Sequence, residues 1–159
     1  MTSTITSAKL KVTIIESVKL KGKDQGATTE LTIQDINEIS SRIVTITSAE
    51  ATIATFSSAV ASAGHYVAAD VRYMRFTNLD DTNFITLTFR NQDNDEVAIK
   101  LDAGLSFIWN GDNDNGMTAV FNATEDADAA SDTAFGSLTN IQADANTASC
   151  DLEIFIASA

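Results

Sequence analysis

Proline is absent from this 159-residue sequence, and cysteine, tryptophan and histidine occur once each. A chain of this length ordinarily carries several prolines. Without them its turns fall to Asn, Asp and Gly, which bend the backbone by side-chain hydrogen bonding or by tolerating positive φ. The single Cys150 excludes an intrachain disulfide and a multi-cysteine metal site. It sits beside an alternating apolar stretch, so it reads as a small half-buried residue rather than a reactive thiol. No run of about 18 apolar residues is present to cross a membrane. The opening MTSTITSAKLKV has neither the basic nor the apolar region of a secretory signal. P-loop, dinucleotide fingerprint and HExxH are missing as well. Together these features suit a protein made in a reducing cytoplasm.

Cations are also scarce, and unevenly so. Residues 1–42 carry six Lys or Arg against five acids, residues 43–110 four against eight, and residues 111–159 none against nine, for a net charge of −12. A C-terminal third without a cation argues against nucleic-acid binding, which needs Lys and Arg to displace counterions. The simplest reading is a solvated acidic surface that aids solubility. A face seated on a basic partner, or one that takes divalent cations, is the functional alternative.

What the chain does have is strand signal, densest over residues 70–109. In Phe84–Arg90, Ile85, Leu87 and Phe89 alternate with Thr86, Thr88 and Arg90, the two-residue period of a half-buried strand. Glu96–Leu101 repeats the pattern, and Asn91–Asp95 between them is turn chemistry, so the pair predicts an antiparallel hairpin. Asp70–Phe76 before it and Leu105–Trp109 after it complete an expected four-stranded meander. Lys9–Glu16, Thr28–Ile33, Arg42–Thr47, Ala51–Phe56 and Asp151–Ile156 predict further strands. Gln34–Ile39 fits a helical turn as well as a strand, and Leu138–Ala148 is ambiguous. Met117–Phe121 predicts one short strand, and residues 122–137 a long acidic loop. Eight to ten short strands with frequent turns give an all-β fold, an antiparallel β-sandwich of jelly-roll type, with an immunoglobulin-like sandwich second. Residues 1–8 read as a flexible N-terminal arm and residues 9–159 as a single domain.

Sites are few. Asn110–Gly116 invites a calcium reading, but counting from Asn110 puts Asp112 and Asp114 at positions 3 and 5 of an EF-hand loop with Asn115 at 6 and Phe121 at 12. The template fails at both. Asp112 and Asp114 stay as metal candidates only for a calcium site of another type, shared with Asp93 or Asp95; otherwise no cofactor is expected. A nucleophilic site would have to use His65, and no nucleophile elbow surrounds Cys150 or any Ser. The pairs Asp80-Asp81 and Glu125-Asp126 are adjacent acids on turns, which point apart and stay solvated. Tyr66, Tyr73, Phe76 and Trp109 would form a sugar-binding shelf only if exposed together; within strands they are expected in the core. No catalytic residues are expected, and the chain reads as no enzyme.

The stretch VRYMRFTNLDDTNFITLTF, followed by VAIKLDAGLSFIWN, resembles small virion structural proteins of tailed bacteriophages. There a Tyr-x-Arg-x-Thr-Asn-Leu-Asp strand and turn precedes a Leu-x-x-Gly-x-Ser-Phe strand. KLKVTIIESVKLKGKDQG and DLEIFIASA extend the likeness to about two thirds of the chain. The resemblance implies a β-sandwich that coats the capsid as a cement (decoration) protein, or belongs to the neck, tail or fibre with a receptor- or sugar-binding role. It implies the major capsid protein or other virion proteins as partners, assembly in the host cytoplasm, residence in the virion, and a homo-oligomer, a trimer by lattice symmetry. It brings neither nucleic acid nor membrane as a partner.

Overall fold

The computed structural model describes residues 5–60, 62–111, 116–118 and 137–159. The predicted acidic loop lies outside these up to residue 136, as does most of the strand expected at 117–121. Among the described residues the regular structure is all β, in several antiparallel sheets, with no helix.

The first four strands stand apart from the rest. β1 (Ala8–Glu16) pairs antiparallel with β4 (Ala27–Ile36), in register from Leu10↔Ile33 to Glu16↔Ala27, as a two-stranded sheet. β2 (Lys19–Leu20) and β3 (Lys23–Asp24) continue the ribbon to its tip. The turn between them is Lys21-Gly22, with φ of 51° and 80°. Positive φ at both central residues is the type I′ geometry whose twist matches a two-stranded ribbon.

Nine strands follow: β5 (Glu38–Ile46), β6 (Ala51–Ser57), β7 (His65–Val67), β8 (Val71–Asn78), β9 (Ile85–Asn91), β10 (Glu96–Leu101), β11 (Ser106–Asn110), β12 (Leu138–Ala145) and β13 (Cys150–Ser158). They form a five-stranded sheet in the order β10-β9-β12-β6-β7 and a four-stranded sheet in the order β11-β8-β13-β5. Every ladder is antiparallel except the short β6–β7 pair.

Alternation places the core. Ile85, Leu87 and Phe89 of β9, Met74 and Phe76 of β8, and Leu152, Ile154 and Ile156 of β13 are all buried in one cluster to which both sheets contribute. Phe89 sits at its aromatic centre, with ring centroids 6.5 Å from Phe76, 5.5 Å from Phe107 and 5.1 Å from Trp109. The Tyr66 hydroxyl on β7 hydrogen bonds Ser40 on β5 at 2.9 Å and so ties one sheet to the other. Each such apolar side chain contributes roughly 1.5–3 kcal/mol through burial.

The expected hairpin β9–β10 forms with the register Glu96↔Arg90 to Leu101↔Ile85. The four-stranded meander does not. β8 pairs with β11 and β13 rather than β9. Residues 79–84 carry the chain from one sheet to the other, and Phe76 meets Phe89 across the core instead of across a ladder. Both strands carry buried apolar residues that must face one another, and side-by-side pairing would not achieve that. The Gln34–Ile39 ambiguity resolves as strand to Ile36, a link at Asn37 whose N–H bonds the Ser158 carbonyl, and β5 from Glu38. β12 was ambiguous in sequence because an irregularity between Leu138 and Asn140 breaks its period, and because two of its core contacts are only alanines, Ala143 and Ala145.

Candidate interaction surface

Asp112 and Asp114, the metal candidates, lie outside the described residues. Their proposed companions serve the β9–β10 turn. The Asn91 side-chain oxygen accepts the N–H groups of Asp93 and Asp95 at 2.9 and 2.8 Å, and the Asn91 amide donates to the Asp95 carboxylate. Among the described residues no group of three or more His, Cys, Asp or Glu is arranged to hold a metal ion.

His65 and Cys150 do not form a nucleophilic pair. His65 opens β7 at the margin of the five-stranded sheet, and Cys150 opens β13 in the four-stranded one. Cys150 is buried, and that burial, reinforced by the neighbouring Asp80 charge, pushes its thiol up, away from the nucleophilic thiolate. Asp80 is a turn-former: its carboxylate accepts the N–H groups of Thr82 at 2.8 Å and Asn83 at 2.6 Å. The N–H of Asn83, then that of Thr82, hold its carboxyl below the usual range. The aromatic shelf is also absent: Tyr66, Tyr73 and Phe76 are buried, and Trp109 packs on the core with Phe107.

The unusual chemistry lies at the surface, on the ribbon. Its base is fastened to the outer face of the four-stranded sheet. Ile33 and Ile36 are buried with Tyr73 and Ala157, and Leu10, Val12 and Phe155 close around them. The Tyr73 and Phe155 rings meet edge to face at 6.0 Å. Burial pushes the Tyr73 hydroxyl up, with Arg75 opposing. Further along, Val12, Ile14 and Leu31 flank Tyr73, Ile108 and Asn110 around one shallow cleft. The ribbon therefore crosses its own sheet from β13 over β8 to β11. Every residue from Thr13 to Thr32 is exposed. Apolar side chains occur throughout this free half, with Ile15 at 72% exposure and Leu20 at 63%. Lys19, Lys21 and Lys23 surround the tip.

A second surface lies on the opposite margin of the same sheet. β5 is an edge strand. Its Ile39 and Ile43 face outward, Ile43 at 61% exposure, beside the outward Asp151 and Glu153 of β13. Thr45 donates its hydroxyl to Asp151, and Glu153 pairs with Arg75 at 2.6 Å. Two strands in from β5, just beyond the end of β8, Leu79 bonds the Asp151 carbonyl through its N–H and is exposed as well.

Sequence reading identified both ribbon strands but not their isolation. The available signal was lysine placement: five of the six lysines fall between residues 8 and 36. That reach holds five cations against four acids, whereas residues 37–159 hold five against eighteen. The chain matches no protein-family model, no curated protein and no solved structure.

Proposed function

We propose that this chain is a structural protein of a bacteriophage virion, a capsid cement or decoration protein that strengthens the shell by binding the major capsid protein across capsomer junctions. It acts without catalysis, as a homo-oligomer, and a trimer is the symmetry that would match three-fold lattice positions. The observation that carries this reading is the ribbon: an apolar, lysine-bearing element of twenty consecutive exposed residues, Thr13 to Thr32, whose buried anchor lies at its base. Contiguous exposed apolar surface marks interaction sites, and a two-stranded ribbon is marginal in water unless something packs on it. The sequence resemblance to virion proteins supplies the class of partner.

The jelly-roll sandwich belongs to the same proposal. Its support is strand order: from β5 onward the chain passes back and forth between the two sheets so that β5, β8, β11 and β13 fall in one and β6, β9, β10 and β12 in the other, with the short β7 added at the edge of the second. Two interleaved Greek keys give that distribution. A tail, neck or fibre position is the alternative, and it has lost the aromatic shelf that a sugar-binding module would use.

The deciding test is copy number in purified particles, by quantitative mass spectrometry against the major capsid protein. A copy number of the same order as the capsid subunit is the expected result. A few copies per particle would move the chain to tail or neck, and absence from particles would overturn the virion reading.

A further inference from the structure

We propose that the ribbon tip of one molecule docks on the β5 margin of a second copy of the same chain, so that subunits join head to tail. The inference deepens the structural reading above and rests on it for taking the ribbon as an interface. The partner is argued from charge, apolar surface and placement.

Outside the ribbon the chain carries five cations against eighteen acids. Two such bodies repel, and contacts between them alone would bring like charges together. The ribbon tip has the opposite sign, with Lys19, Lys21 and Lys23 against Asp24 alone between residues 17 and 26. Its apolar side chains there are Val18 and Leu20, both exposed. The β5 margin offers the complement: Ile39 and Ile43 are exposed on β5, with Asp151 and Glu153 beside them on neighbouring β13 and Arg75 already paired to Glu153. A single copy thus holds both halves of one contact.

Geometry keeps the two halves apart within one molecule. The ribbon leaves the sheet at β11 and runs on from Ile14 to the Lys21 turn, roughly 24 Å at strand rise. The complementary margin is β5, at the other end of the order β11-β8-β13-β5. A tip that cannot reach its own complement can reach a neighbour's. Such a heterologous contact closes into a ring where the rotation permits and otherwise grows as an open chain.

Sedimentation velocity on the purified full-length chain tests this with two multiple variants. One reverses the tip, Lys19→Glu, Lys21→Glu and Lys23→Glu; the other alters the margin, Ile43→Lys and Asp151→Lys. All five side chains are exposed, and matching circular dichroism melts would confirm that both variants fold. The wild type is expected to self-associate at low salt and to dissociate as salt rises. Each variant alone is expected to be monomeric. Mixed, they are expected to give a one-to-one dimer and nothing larger, because one intact tip then meets one intact margin. A monomeric wild type, an association untouched by tip reversal, or a mixture that stays monomeric would each overturn the proposal. These outcomes are read in purified protein, so they leave the copy-number test to judge the virion reading independently.

Discussion

Three side chains, Asn78, Asp80 and Asn91, organise turns that proline makes elsewhere. Asn78 is fully buried and spends its amide on the carbonyls of Asn83 and Leu101, while its oxygen accepts the Asp80 N–H. Asp80 then holds Thr82 and Asn83. Its carboxyl is lowered in the folded chain, so its contribution to stability is present above the unfolded carboxyl value of about 4 and is lost as pH falls through the folded value. Asp80→Ala should therefore lower stability at pH 7 and flatten the acid loss below about pH 4, measured by urea unfolding across that range. At the aromatic centre, Phe89→Ala removes a ring that touches three others and should cost about 3–5 kcal/mol, read by chemical denaturation with Trp109 emission as the probe. The role of Asn, Asp and Gly in the turns was legible from the missing prolines. The burial of Asn78 was not, because nothing local distinguishes an asparagine that caps a turn from one that crosses into the core.

At the scale of elements, periodicity found strands and missed partners. Lys9–Glu16 and Glu96–Leu101 show the same alternation, yet one belongs to a ribbon outside the main sheets and the other to an edge of the five-stranded sheet. A two-residue period says that two faces differ, not what covers each. The same limit explains why the expected meander does not form, since strands close in sequence need not pair. The ribbon's attachment through Tyr73 gives this scale its prediction. Tyr73→Ala should release amide protection in β1 and β4 by at least tenfold in hydrogen exchange while leaving β9 and β12 protected, since the anchor cluster is separate from the main core. Equal loss in all four strands would show that ribbon and core unfold as one unit.

At the scale of the molecule, charge asymmetry is legible in the sequence, and the fold adds where it falls in space. The sequence suggested an acidic C-terminal third; the fold sets an acidic body against a ribbon holding most of the lysines. That contrast only has meaning once the ribbon is seen to stand clear of the sheets, which depends on long-range pairing rather than composition. The all-β class could be read from alternation and turn residues alone, because both are local. The β5 margin could not, because Ile43 and Asp151 are brought together from strands about a hundred residues apart in the chain.

The position of β13 has a consequence for how the chain comes into being. Residues 150–158 lie between β5 and β8 in their sheet, although they follow β5 by about a hundred residues. Until that segment arrives, β5 and β8 have no strand between them, and each presents an open edge on which unrelated chains could pair. Closing so long a loop makes folding slow relative to a helical protein of equal size. The interval before closure is when the newborn chain is most exposed to aggregation.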